Sequence, residues 1–469
     1  MSLFVEAVQW MFLVYFVAIN IGYFSLNILA VLSLRRSIAG RALANLPQTY
    51  SGIEPAISIL VPAYNEEATI TTSIQSLLQV DYPEFEVVVV NDGSKDGTLQ
   101  VLIRDFELRP FPEVVWAQLK TQPVRAIYRS AKHKNLRVID KENGGKADAL
   151  NVGISAAKFP LFCAIDADSI LQRDSLRRVV DPFLENPLTI ASGGTVRIAN
   201  GCEVKGGFLR KIDLPSDTLA MLQIVEYLRA FLFGRMGWAA INAVLIISGA
   251  FGVFKKEAVI EAGGYTSGSL GEDMELVVRM HRLFRERNKP YAIHFIADPI
   301  CWTEAPESMK TLKSQRIRWQ RGLAESLFAH RSLCFSRNGG APGWIAFPFM
   351  TIFEWWGPLL EVAGYALMIY LVLVGHISLD VFLIFMAMAF TLGFMMSLSA
   401  LLLEELTFHL YPRVSQVGRL VLAALLENFG FRQIVSVWRL IGLMKWMFGT
   451  KATWGDMKRS GSWQNVEVK

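Results

Sequence analysis

Two aspartates separated by one alanine close an apolar run. Asp166 and Asp168 sit near the end of "KFPLFCAIDADSI", Lys158 to Ile170. Residues two apart in a strand point to the same side, so the spacing predicts that both carboxylates face one point, with Ala167 keeping bulk away. Two like charges that close repel unless a cation lies between them. Hard divalent ions take oxygen ligands, and magnesium favours one or two carboxylates plus substrate phosphates. The chemistry such a pair suggests is Lewis-acid and electrostatic stabilisation of a departing diphosphate.

Two further groups carry chemistry. Glu272 and Asp273 follow a glycine-rich loop and open an amphipathic stretch in "GGYTSGSLGEDMELVVRMHRLF". On local sequence, a helix cap by Asp273 that favours the dipole and a general base are equally open readings. In "SQRIRWQRG", Gln315, Arg318 and Trp319 are spaced i, i+3 and i+4 and share one helix face. A planar guanidinium suits a pyrophosphate and an indole suits a sugar ring. The competing reading is a basic helix on anionic lipid, with Arg316 and Arg321 among the headgroups. The six histidines have no metal-ligand spacing, and the four cysteines no paired spacing, so they read as packing or surface residues and reduced thiols.

The elements that must position these groups alternate. "AISILVPAY", "EFEVVVVND", "LRVIDKEN" and "FPLFCAID" read as strands, each followed by a helical pattern. Such alternation predicts a parallel, doubly wound sheet with helices on both faces. Ligands in such sheets bind beyond the carboxyl ends of the strands. Polar clusters recur there: Pro62 to Glu66, Asn91 to Ser94, Glu142 to Lys146, and Asp166 to Asp168. Each alone reads equally as a turn or cap; four on one rim point to a nucleotide-type pocket. The basic segment "LRPFPEVVWAQLKTQPVRAIYRSAKHK" has no assigned role.

The 469-residue chain is 52% hydrophobic, more than a purely soluble protein carries, and the excess lies at the start and in the last third. Gln9 to Leu34 has no charged residue and is long enough to span a bilayer, with Arg35, Arg36 and Arg41 directly after it. That asymmetry predicts the N-terminus outside and the central domain in the cytoplasm. Glu354–Gly375 and Asp380–Leu403 read as a membrane hairpin, with "GWIAFPFMTIF" before them along the interface. Gly418–Phe448, interrupted by Glu427, Asn428, Arg432 and Arg439, leaves one tilted span, a short hairpin and interfacial helices open. A net charge of +5 fits an anionic leaflet or a phosphate ligand, and no nucleic-acid module is present in the sequence.

"PAYNE", "NDGSKDGT", "ENGGKADALN", "DADS", "GED" and "QRIRW" occur in the order found in membrane-embedded family 2 glycosyltransferases. The chain resembles this group, which includes synthases of poly-N-acetylglucosamine, hyaluronan, chitin and cellulose, from about Glu54 to Arg321. The resemblance implies an α/β GT-A domain with a Rossmann-like parallel sheet, plus α-helical transmembrane and interfacial helices. It implies inverting transfer from a UDP-sugar with Mg²⁺ or Mn²⁺. Carried over by position, Ala63, Tyr64 and Glu66 contact uridine, Asp92 accepts from uracil, and Lys146 sits near uracil or phosphate. Asp166 then lies near the diphosphate and Asp168 holds the metal. The motif's aspartate makes Asp273 the base, beside Glu272; Gly271 stands where many relatives carry threonine. Arg318 goes to the diphosphate, Trp319 to the acceptor end, Gln315 to substrate binding within the same motif, and Ser248 and Gly249 of "ISGAFGVF" to the acceptor wall. A plain strand with a bulge is the alternative for that last stretch.

The expected organisation is an N-terminal membrane helix and link (1–50), the glycosyltransferase domain (51–307), and an interface helix (308–342). C-terminal membrane or interfacial helices (343–448) and a cytoplasmic tail (449–469) follow. The leading expectation is a processive polysaccharide synthase in the cell membrane that extends a glycan from a UDP-sugar, with a second copy or a secretion subunit as possible partners. A non-processive transferase acting on a lipid acceptor is the alternative. A membrane receptor or transporter for nucleotide sugars is a third class.

Overall fold

The computed structural model describes residues 2–44, 52–205 and 208–450. The link before residue 52 and the tail beyond 450 lie outside the described residues. A long first helix, α1 (Ser2–Ala44), precedes the alternating units β1 (Ile57–Ala63), α2 (Ile70–Leu77), β2 (Phe85–Asn91) and α3 (Thr98–Asp105). The basic segment without an assigned role supplies two strands, β3 (Leu108–Pro110) and β4 (Val124–Ser130). They form an antiparallel ribbon on β5 (Leu136–Lys141) and cap that edge of the sheet. α4 (Lys146–Ala156) and β6 (Leu161–Ile165) complete the parallel core.

The order β5-β2-β1-β6 is parallel throughout. These strands are apolar runs buried on both faces, as parallel strands under two helix layers must be. The chain builds outward from β1 through β2 to β5, then crosses back to place β6 on the other side of β1. That reversal is the switch point at which open α/β sheets leave a crevice. Asp166 follows β6 directly, at the mouth of the crevice.

Beyond β6 the sheet is mixed. β7 (Ile170–Leu171), α5 (Ser175–Glu185) and β8 (Thr189–Ile198) come next, then a two-stranded sheet of β9 (Glu203–Lys205) and β10 (Phe208–Lys211). α6 (Thr218–Leu228) runs through a π-helical segment, Arg229–Arg235, into α7 (Met236–Ala239). β11 (Phe251–Lys255), α8 (Lys256–Ala262), α9 (Glu272–Glu286) and β12 (Ala292–Thr303) follow. β11 lies antiparallel between β6 and β8, and β12 runs parallel to β8. The parallel core is as the alternation predicts; the antiparallel additions extend it to ten strands.

After β12 come α10 (Met309–Ala329), a helical run containing α11 (Phe347–Phe349), α12 (Gly357–Leu373), α13 (Leu379–Thr407), α14 (Val414–Leu426) and α15 (Arg432–Met447). Among the described residues three helical stretches are long and apolar enough to cross a membrane: Glu6–Arg35, Leu379–Thr407 and Val414–Met447. The pair Pro342–Trp355 and Gly357–Leu373, bent by 44°, makes a fourth if the two are one broken span rather than a re-entrant loop. These features mark a membrane protein. The first arm of the anticipated hairpin follows "GWIAFPFMTIF", which is itself helical, across this bend. In Val414–Met447 the helix breaks at Phe429 and Gly430, where the glycine has φ +96°. The charges that interrupt this stretch have internal partners: Glu427 pairs with Arg229 at 2.5 Å, and Arg439 with Glu354 at 2.7 Å. Charges in an apolar layer persist when they face protein partners rather than lipid.

Candidate active site

A cavity of about 690 Å³ begins at the switch point and ends among the apolar helices. Asp166 and Asp168 both line it, but not for the reason strand alternation suggests. β6 ends at Ile165, and residues 166–169 form a turn in which Ser169 N–H donates to Asp166 O at 3.0 Å. The turn, rather than the pleat, brings the two carboxylates to one cavity.

Lys146, first residue of α4, reaches across to them. Its Nζ lies 2.6 Å from Asp166 Oδ1 and 3.5 Å from Glu272 Oε1, and donates to Gly249 O at 3.2 Å. Burial works against its charge, yet Asp166 and Glu272 outweigh that and hold it above the ordinary lysine range. Glu272 is 6% exposed. Burial pushes its carboxyl up, Lys146 pulls it back, and Asp273 adds to the rise.

Asp273 faces the same space. The cap reading does not hold: the N-cap of α9 is Gly271, and Asp273 is the second helical residue. Its Oδ2 instead accepts from Gly249 N–H at 2.9 Å, across to the loop before β11, and Oδ1 accepts from Met274 N–H at 2.8 Å. Ser248 and Gly249 line the cavity from a turn, closed by Phe251 N–H to Ser248 O at 3.0 Å, ahead of the strand. Gly271 touches Gly322 of α10: a Cβ on Gly322 would lie 2.8 Å from Gly271 N, and one on Gly271 3.0 Å from Gly322 Cα. This backbone contact explains why the loop carries glycine at 271. It also locks the start of α9 to the helix bearing Gln315, Arg318 and Trp319.

Those three residues line the cavity. Trp319 is 41% exposed, and the Arg316 guanidinium lies 4.3 Å from its ring centroid. Arg316 is buried and pairs with Glu226 at 2.7 Å, while Arg321, also buried, donates to Thr450 O at 2.6 Å. The headgroup reading for these two arginines is thereby overturned: both point into protein. Gln320 Nε2 donates to Glu354 O and Trp355 O at 3.0 and 2.9 Å, tying α10 to the bent helix pair.

Four of the expected site residues lie outside the cavity lining: Ala63, Tyr64, Glu66 and Asp92. Ala63 is buried at the end of β1, Tyr64 is 41% exposed, and Glu66 Oε2 accepts from Thr69 Oγ1 at 2.8 Å. Asp92 is 2% exposed, and its acceptor positions are filled from within. Gly144 N–H and Lys141 reach Oδ1; Gly145 N–H and Asn143 reach Oδ2. A carboxylate has about four acceptor sites, so a base N–H would have to replace one of these partners. As it stands, Asp92 shapes the loop that presents Lys146.

The sequence motifs miss one wall. Glu226, Tyr227, Phe231 and Arg235, from α6 and the π-helical segment, line the cavity, as does Arg439 of α15. The available signal was charge within an apolar run, "LQIVEYLRAFLFGRMGW". Arg235 lies over the Phe231 ring, its guanidinium carbon 3.8 Å from the centroid.

The donor set fits a hard divalent ion. Among the described residues no group of three His, Cys, Asp or Glu could enclose a metal. Two carboxylates converging beside a cavity suit Mg²⁺ or Mn²⁺, which complete their shell with phosphate oxygens and water. Lys146 already neutralises Asp166, which leaves Asp168 as the principal candidate ligand.

Sequence comparison agrees with the sheet and the motif order. The model described as "Glycosyl transferase family 2" matches residues 58–256, and that described as "Glycosyl transferase family group 2" matches 161–398, half of the chain. The chain belongs to glycosyl transferase family group 2, and its α/β domain is a GT-A glycosyltransferase domain. Among individual relatives, it is 29% identical over 272 residues to a poly-β-1,6-N-acetyl-D-glucosamine synthase of Staphylococcus epidermidis, covering 58% of this chain and 55% of that one. It is 30% identical over 275 residues to the synthase of the same name from Staphylococcus aureus (strain COL), with the same coverage. The chain thus spans about half the length of the curated relatives it matches. A solved mannosyltransferase from Pyrobaculum calidifontis, in complex with GDP-Man and Mn²⁺, aligns over 92% of this chain and 99% of its own at 18% identity, TM-score 0.48.

Proposed function

We propose that this protein is an inverting, membrane-embedded glycosyltransferase that extends a β-linked polysaccharide from a UDP-sugar, UDP-N-acetylglucosamine or UDP-glucose. The observation that carries the reading is the single cavity. It joins Lys146, Asp166 and Asp168 at the strand ends to Asp273, then to Gln315, Arg318 and Trp319, and reaches Glu354 and Arg439 among the apolar helices. One space running from the strand ends to the apolar helices supports transfer beside a membrane.

Each residue then has a task. The acceptor hydroxyl oxygen attacks the anomeric carbon from the face opposite the diphosphate. The new C–O bond forms as the sugar–phosphate bond breaks, the electron pair leaves with UDP, and the proton passes to the Asp273 carboxylate. Gly249 N–H and the helix start hold that carboxylate in place. Lys146 and Arg318 stabilise the leaving diphosphate, and Trp319 offers an apolar face to the acceptor sugar. Asp168, with Asp166, would hold Mg²⁺ or Mn²⁺, which when bound supplies Lewis-acid neutralisation of the diphosphate. Glu272 keeps Lys146 oriented between donor and base. The arginines after the first span support a cytoplasmic domain in a multi-pass protein of the cell membrane.

Only three, or four, candidate spans lie among the described residues, which favours a second reading: transfer of one sugar to a lipid acceptor. One experiment separates the two. Purified protein in a bilayer mimic is given a panel of UDP-sugars with Mn²⁺, and UDP release and product mass are measured. A ladder of sugar increments supports polymerisation, a single-sugar glycolipid supports the second reading, and no UDP release from any donor removes both.

A further inference from the structure

Arg235 differs from Lys146, Arg316 and Arg439 of the same cavity in how its charge is met. Lys146 is matched by Asp166 and Glu272, Arg316 by Glu226, and Arg439 by Glu354, each within ion-pair distance. Arg235 lines the same cavity, yet its Nη1 is buried with no hydrogen-bond partner among the described residues. One face of the guanidinium is already occupied, lying on Phe231. A stacked guanidinium is fixed in plane and keeps its donors pointing outward along its edges. A buried donor left unmet costs stability, so such a group is retained where something else meets it.

Its neighbourhood says which occupant that is. Burial lowers the Arg235 pKa to about 10, with the charge of Asp273 and then the Tyr227 phenol acting against it. Arg235 belongs to the wall of α6 and the π-helical segment, which packs on α1 and α13, the apolar-helix side of the cavity, away from the strand ends that carry Lys146 and Asp166. It sits at the end of a π-helical segment between two α-helical stretches, Arg229–Arg235, a departure from regular geometry that recurs at functional sites. Alanine at position 230 beside it leaves room in the wall.

We propose that Arg235 is an acceptor-binding residue, donating from its planar edge to a hydroxyl or ring oxygen of the terminal acceptor sugar and holding that sugar against Asp273. This rests on the glycosyltransferase reading and adds a specificity contact on the acceptor side.

The test is a split of Michaelis constants in the full-length protein in nanodiscs, with UDP-N-acetylglucosamine, Mn²⁺ and a short β-1,6-linked N-acetylglucosamine oligosaccharide as acceptor. Losing a hydrogen bond from a charged donor corresponds to about tenfold to hundredfold in affinity. Arg235→Gln is expected to raise the acceptor KM by that factor while the donor KM changes less than twofold. Arg235→Lys, which keeps charge without the planar fork, should recover part of the loss. Equal rises in both constants, a rise in the donor KM alone, or no change in either would overturn the assignment. So would loss of turnover in both variants together with a lowered melting temperature. Wild-type protein that releases UDP from no nucleotide sugar would instead overturn the parent reading, a result distinct from an active wild type with insensitive variants.

Discussion

Replacing Lys146 with methionine removes the one cation that bridges the donor carboxylate and the acidic pair at the start of α9. At 2.6 Å from Asp166, and with an effective dielectric of about 20, the gross attraction is about 6 kcal/mol; at 3.5 Å from Glu272 it is about 5 kcal/mol. Neither is a net value. The lysine and Asp166 side chains are 20% and 25% exposed, and desolvation cancels much of the gain. A net loss of about 3 kcal/mol in the Michaelis complex corresponds to about a hundredfold in kcat/KM. The loss should fall on kcat as well as donor KM, because three acidic groups, Asp166, Glu272 and Asp273, then repel one another and the diphosphate. The assay is UDP release at saturating Mn²⁺, with circular-dichroism melts to confirm folding. A folded Lys146→Met protein within threefold of wild type would refute the claim that this ammonium organises the site.

Asp273→Asn should lower kcat at least a thousandfold while UDP binding by calorimetry persists, since the amide cannot take the acceptor's proton; unchanged turnover would remove Asp273 from the mechanism. Gly322→Ala forces a Cβ to 2.8 Å from Gly271 N, so either α9 or α10 must move, at about 1–3 kcal/mol; a melting temperature and activity equal to wild type would show the contact is slack. The Glu272 carboxyl, pushed up from 4.5 by burial, lets the folded state hold a proton that the unfolded state releases. Stability should therefore fall as pH rises from 4.5 through the raised value, and Glu272→Gln should flatten that part of the melting curve. Parallel curves for the two proteins would rule this out.

Much of this arrangement was legible in the residue pattern. The parallel core showed itself because β1, β2, β5 and β6 carry mainly apolar stretches in alternation with helical patterns, each closed by polar residues. Asp166, Asp168 and the shared face of Gln315, Arg318 and Trp319 were marked by their spacing, and Lys146 and Asp273 by the order of the motifs; all of them line the one cavity. What escaped depends on contacts made at long range. The β3–β4 ribbon reads as an irregular basic segment because an edge strand is exposed and carries no apolar alternation. The aspartate pair was found by an argument from strand pleat, whereas a turn supplies the geometry. Arg316 and Arg321 resemble lipid-facing charges until Glu226 and the backbone of Thr450 appear opposite them. Arg235 lay hidden in an apolar run, and only the fold brings it to the cavity wall.

The most direct measurement is UDP release by wild type and Asp168→Ala across a cycle of Mn²⁺, chelator and restored Mn²⁺. The wild type is expected to turn over, fall silent in chelator and recover when the ion returns, while Asp168→Ala stays silent yet folded. Turnover that persists in chelator, or an active Asp168→Ala protein, would contradict a metal-assisted transfer at the mouth of β6.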